Sequence, residues 1–204
     1  RKVHMMEGRP GHRMSKKLQL AFSERRIRKG IYRMYARLRP YHLIGAIGGF
    51  LTVLTAIISL AVSTSYYISA EWVIIVNMLL IGSNGLIATY FFGAFSASRD
   101  SLIKVGSLIA GIGLGFNVLI SILQMAGVYV FVLALLGALV MMAGVVIACI
   151  KFIMLFQRDA FVVVFCVFIF LGLLLSLFWT WASLISGAGL GGLLIYFYVH
   201  NITY

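Results

Sequence analysis

The chain has 204 residues, of which 62% are hydrophobic and 11% charged, with a mean hydropathy of +1.05. A soluble domain carries roughly 25% charged residues, so this composition excludes a water-facing globular fold and points to an integral membrane protein. The formal net charge of +12 is uneven: thirteen of the 17 Lys and Arg lie in residues 1–40, against two acids, Glu7 and Glu24, so that arm carries +11 and the rest of the chain +1.

The arm has a pattern of its own. Leu20, Ile27, Ile31, Met34 and Leu38 recur at helical spacing, and Arg26, Lys29, Arg33 and Arg37 form a second stripe. This describes a basic amphipathic helix lying along a membrane surface. The four cations are its docking face, for anionic lipid on the inner leaflet or for an acidic partner surface. A pI near 10.1 also suits nucleic acid, but charge abutting a membrane span favours headgroups, and no nucleic-acid partner is expected. Pro40 is expected to end this helix, giving a basic arm over 1–40 and a transmembrane bundle over 41–204. No short apolar run with a small-residue cleavage site follows the arm, so it is not read as a secretory signal peptide. The chain begins at Arg1 rather than Met, as processing or disorder upstream would each produce.

From Tyr41 onward, apolar runs fall at about 41–63, 72–95, 102–125, 128–150, 161–181 and 184–200. Each is near the 20 residues that carry a helix across a bilayer, and none alternates with the period of a strand. The fold class is therefore all-α integral membrane: a six-span transmembrane helix bundle preceded by a basic interfacial helix. Residues 161–200 could also be one long bent helix. Two helices are preferred, because Trp179 and Trp181 suit an interface between them and the glycines at 187, 189, 191 and 192 ease a turn or a close crossing. The four cations outside the arm flank the second connection (Arg99, Lys104) and the fourth (Lys151, Arg158). All four agree with both termini on the inside, the cytosolic or matrix face. An organellar membrane is expected, with the mitochondrial inner membrane as the working choice.

Catalysis has little to stand on. The histidines, His4, His12, His42 and His200, lie in the arm or at span ends, and Cys149 and Cys166 form no metal-ligand motif. Gly82-Ser83-Asn84-Gly85 lacks the histidine partner that a serine nucleophile needs. Glu71, Asp100 and Asp159 each precede or open a span, where a carboxylate caps a helix and meets the positive end of its dipole. Proline occurs only at 10 and 40, so no span is broken in the way common to transporter sites. The chain is not expected to be an enzyme or to hold a metal or cofactor.

Two patterns remain. Gly45/Gly49, Gly111/Gly115 and Gly187/Gly191 are GxxxG pairs in three spans, faces on which helices approach closely. With further glycines at 106 and 113, the third span is expected to be the most crowded. Asn77 and Asn84 on the second span and Asn117, Ser121 and Gln124 on the third form the polar signal: either interhelical glue or a narrow polar path. The leading expectation is a non-catalytic scaffold or accessory subunit of a larger membrane assembly, partnered by other membrane subunits or copies of itself. The alternative is a channel or facilitator for water or a small uncharged solute through Asn77, Asn84, Asn117 and Gln124. The first expectation has these amides pointing at one another across a dry interface.

Overall fold

The computed structural model describes residues 16–64, 69–98, 100–128, 130–156, 159–176, 178–179 and 182–200, with side chains from Leu38 onward. All regular structure among them is helical: α1 (Lys16–Ser63), α2 (Ala70–Ala97), α3 (Ser101–Met125), α4 (Phe131–Leu155), α5 (Ala160–Ser176) and α6 (Ser183–His200). The chain divides into two compact units, Arg1–Arg33 and Met34–Tyr204. The backbone of the first is helical from Lys16. The side chains of Arg26, Lys29, Arg33 and Arg37 lie outside the described residues, as do Arg99, Arg158 and Trp181.

One expectation is corrected at once. Helix α1 continues through Pro40 instead of ending there. A proline removes one N–H from the ladder and crowds the preceding turn, but it does not change the chain's preference for helix where lipid offers the backbone no other partner.

Among the described residues, five stretches are long and apolar enough to cross a membrane: Leu38–Ser63, α2, α3, α4 and α6. Helix α5 has 17 residues, roughly 26 Å at 1.5 Å per residue, against a hydrocarbon core of about 30 Å. Helices α5 and α6 are separate and pack side by side, so 161–200 is a helical pair. Large apolar side chains face outward on every helix, among them Ile47, Met78, Leu119, Leu136, Val164 and Val199. This is an all-helical membrane bundle.

Neighbouring helices run antiparallel, and small residues set their spacing. A methyl group built on Gly106 would sit 2.9 Å from the Ala148 nitrogen, and one on Gly113 would collide with the Met141 backbone. Gly144 is pressed on Ala110 in return. Gly172 abuts Ser186, while Gly48 lies under Ile87. Helix α6 then folds back on α1: a methyl on Gly49 would meet the Gly191 nitrogen at 2.7 Å and the Gly187 oxygen at 3.0 Å. With Cys149 on α4 and Cys166 on α5 brought together at one cavity between those helices, the six helices close into a ring. Leu38 and His200 lie at one end of it, here the entry end, and the α1–α2, α3–α4 and α5–α6 connections lie at the far end. Helix α3 has the largest buried share, 44% of its most apolar window against 22–33% for the other four spans.

Caps and turns follow from single residues. Asp100 accepts from the Leu102 and Ile103 N–H groups at 3.0 and 3.2 Å and so starts α3. Asp159 does the same for α5 through Phe161 N–H. Glu71 sits in the first turn of α2, where its charge complements the helix dipole. Gly127, at φ +80°, makes the left-handed turn that ends α3, a conformation open to glycine at little cost.

Candidate functional site: a cavity among six helices

The ring is hollow. A cavity of about 290 Å³ lies inside it, and every helix contributes to the wall. Helix α1 supplies Thr52, α2 supplies Asn84, and α3 supplies Asn117 and Ser121. Helices α4 and α5 supply Met141 and Ser176, and α6 supplies Ser183 and Ser186. Aliphatic side chains, including Leu80, Leu114, Val145, Ile169 and Leu190, fill the spaces between these polar groups, and no lining residue is charged. Thr52 is near the middle of the Leu38–Ser63 stretch and Met141 near the middle of α4, whereas Ser176 and Ser183 are at the helix ends that meet at the α5–α6 junction. The cavity therefore occupies the far half of the bundle.

The entry half is closed by aromatic rings. Phe91 packs edge-on against Tyr90 at 5.1 Å between centroids. Next comes His42, 5.8 Å from Tyr90 and 5.7 Å from Phe197, and Phe197 meets Phe152 and Phe156 at 5.3 and 5.4 Å. This layer joins α1, α2, α4 and α6, and only its Phe91 touches the cavity. His42 is buried within it, and its Nδ1 has no hydrogen-bond partner. Arg39 stacks over Tyr198 at 5.2 Å, adding a cation–π contact at the same end.

The four amides singled out in the sequence do different things. Asn77 is buried and donates from Nδ2 to the Val73 carbonyl of its own helix at 2.9 Å. Asn84 and Asn117 line the cavity, while Gln124 is half-buried near the end of α3 and not on the cavity wall. No hydrogen bond joins any two of the four, which corrects the expected amide contact between α2 and α3. The physical reason is local: an amide in a helix can satisfy itself on a carbonyl one turn back and then needs no partner across the interface.

Four of the five hydroxyls on the wall are oriented the same way. Thr52 donates to Gly48 O at 3.0 Å, Ser121 to Asn117 O at 2.9 Å, Ser176 to Leu173 O at 2.7 Å and Ser186 to Ser183 O at 3.1 Å. Each has given its one proton to backbone and turns lone pairs elsewhere. Asn117 Nδ2 reaches only the Met141 sulfur, at 3.7 Å, a weak acceptor. The Asn84 carboxamide has no hydrogen-bond partner among the described residues.

The glycine pairs also divide. Gly45 packs under Leu194 and Tyr90, and Gly49, Gly187 and Gly191 form the α1–α6 crossing. Gly111 packs on the Phe92 ring at 3.0 Å, whereas Gly115 has nothing within 4 Å of where its methyl would be. The close α3–α4 crossing belongs instead to Gly106 and Gly113, four and seven residues from Ala110 and Gly106 respectively along the same face.

Sequence reading missed Thr52, Ser176, Ser183 and Ser186. An isolated hydroxyl in a span reads as self-satisfied, and those of Thr52, Ser176 and Ser186 are; the usable signal was that alternating helix directions bring all four residues into the far half. A second cavity of about 250 Å³ lies between α4 and α5. It is lined by Cys149, Cys166, Ile153 and Phe170, and it shares Val145, Ile169 and Leu173 with the first. Among the described residues no three His, Cys, Asp or Glu side chains gather in a metal-binding group.

Outside the spans, the Lys151 ammonium lies 2.9 Å from the Asp100 carboxylate. Partial desolvation pushes the Asp100 carboxyl up, but hydrogen bonds from Lys151 and from the Ile103 and Leu102 N–H groups, with the Lys151 charge, outweigh it and hold the group below its ordinary value. Tyr196 on α6 donates to Asp159, tying the start of α5 to α6.

Against known proteins, no family model, no curated protein and no solved structure matches this chain.

Proposed function

We propose that this protein is a facilitator for a small uncharged solute, with the six-helix cavity as its solute-holding chamber. The observation that supports this most is the convergence of Asn84, Asn117 and five hydroxyls, drawn from five helices, on one uncharged cavity. A bundle serving only to fill space would gain dispersion energy by packing that volume with apolar side chains. The volume is close to the lower end of the roughly 300–1,000 Å³ typical of small-molecule sites, so the solute is small. A charged one would enter without a counter-ion and with heavy desolvation. The aromatic layer at the entry end acts as the gate, and the solute waits on the far side of it. Both termini face the cytosol or matrix in this reading, with the basic arm held by anionic lipid.

The test is passage through purified protein. Vesicles reconstituted with the chain should swell or shrink faster than empty vesicles in an osmotic gradient of glycerol or urea. Equal rates for both solutes and for water would sink the reading.

A second reading, a scaffold or accessory subunit, is favoured by Gly115. Its surroundings are open, whereas Gly49, Gly106, Gly113, Gly144 and Gly172 meet backbone, and a helix of another membrane protein or of a second copy would fit there. Stoichiometric co-purification that Gly115→Val abolishes would support it; a monomer in mild detergent would count against it.

A further inference from the structure

The direction of the hydroxyl protons carries more than the polarity of the cavity does. A carbonyl cannot donate, so in each of the four contacts the hydroxyl is the donor, and its single proton is committed to its own helix. What Thr52, Ser121, Ser176 and Ser186 offer the cavity is oxygen lone pairs alone. The Asn84 and Asn117 carbonyl oxygens add two further acceptors. Against these stand the amide N–H donors of Asn84, which are unpartnered, and those of Asn117, one of which is turned to Met141. Among these six side chains acceptors outnumber free donors, on a wall that carries no charge and is otherwise mostly aliphatic.

We propose that this cavity selects an uncharged molecule rich in hydrogen-bond donors and carrying an apolar flank, such as a short-chain polyol, with Asn84 as its principal contact and the serine and threonine oxygens as acceptors. The inference rests on reading the cavity as a solute site. It adds a preference by hydrogen-bond polarity. An ether or ketone of the same size brings acceptors to acceptors and leaves the wall unsatisfied, whereas a diol completes it. Discrimination of this kind is strong because an unpaired buried polar group bears its full desolvation penalty. The aliphatic residues between the hydroxyls accommodate the carbon skeleton.

The experiment uses the full chain in detergent micelles, with radiolabelled 1,2-hexanediol as the probe and its dimethyl ether as the donor-free competitor. The diol should bind saturably, and the ether should compete at least about tenfold less well, the worth of one good hydrogen bond. Asn84→Leu should weaken the diol by about tenfold and leave the ether unchanged; Asn84→Gln should restore part of the loss. If Asn84→Leu fails to fold, Ser186→Ala takes its place, removing one acceptor at little change in volume, with a loss of several-fold. Equal competition by diol and ether, a folded Asn84→Leu that binds the diol like wild type, or no saturable binding overturns the inference. The facilitator reading fails separately. Diol binding with vesicles that swell no faster than empty ones removes passage and leaves the site. Rapid swelling with no preference for the diol leaves passage and removes the donor rule.

Discussion

At the scale of residues, the carboxylates outside the spans each serve two helices. Asp100 caps α3 while pairing with Lys151 of α4, and Asp159 caps α5 while accepting from Tyr196 of α6. Asp100 titrates below its ordinary value when folded, so its contribution is present at neutral pH and is lost as pH falls through that lowered value. Asp100→Asn keeps the cap and removes the ion pair. It should lower thermal stability at neutral pH by about 1 kcal/mol or less, and its melting curve should converge with the wild type in acid. A difference that persists unchanged in acid would deny the ion pair this role. The helix-start position of both acids was legible in the sequence, because a carboxylate before an apolar run has few other uses. Lys151 as the partner of Asp100 was not. Lys104, one turn along the same helix, is the neighbour that sequence spacing offers, and only the α3–α4 packing brings Lys151 closer.

At the scale of elements, the glycines of α3 allow a paired test on one helix. Gly113→Val would drive a side chain into the Met141 backbone and should destabilise the bundle by about 1–3 kcal/mol in an unfolding titration. Gly115→Val, two residues on, should be near neutral in the isolated chain. Equal effects would mean that α3 does not present the Gly106/Gly113 face to α4. A GxxxG search ranks Gly111/Gly115 above Gly106/Gly113, because it counts spacing on one helix and carries no information about which face meets a neighbour. Helix existence was legible throughout, since each apolar run must satisfy its own backbone in lipid. Pro40 was misjudged as a stop for the same reason, as lipid offers the freed backbone little reward for leaving the helix. The arm supports its own test. A peptide of residues 20–38 should bind anionic vesicles more tightly than neutral ones. Replacing Arg26, Lys29, Arg33 and Arg37 by Gln should remove about 1 kcal/mol per charge, as read by vesicle co-sedimentation. Equal binding to both vesicle types would remove lipid as the partner.

At the scale of the whole bundle, the cavity depends on closure of the ring, and closure depends on residues far apart in the chain. Thr52 and Ser186 come to one wall because Gly49 and Gly187 let α1 and α6 touch. No local pattern around either residue encodes that meeting, which is why the amides were weighed and the hydroxyls were not. The aromatic layer is equally non-local, drawing on α1, α2, α4 and α6. Phe197 is its hub, touching His42, Phe152 and Phe156. Phe197→Leu should keep the fold, at a cost of about 1.5 kcal/mol or less, while thinning the barrier between cavity and entry end. In reconstituted vesicles the variant should pass glycerol faster than wild type. An unchanged or slower rate in a folded variant would show that the barrier lies elsewhere.

The contact of α6 with α1 has a consequence for how the protein is made. During synthesis the first five helices reach the membrane before the sixth, and until Ser183–His200 arrives the arc they form has a gap where α6 will sit. Through that gap Thr52, Asn84 and Asn117 would look onto acyl chains rather than onto a finished wall. Nascent chains halted in this interval carry a polar seam of the kind that membrane quality control can recognise. The last helix is thus also the lid on an assembly intermediate, and a chain truncated just before Ser183 should be degraded faster than one missing only the residues after His200.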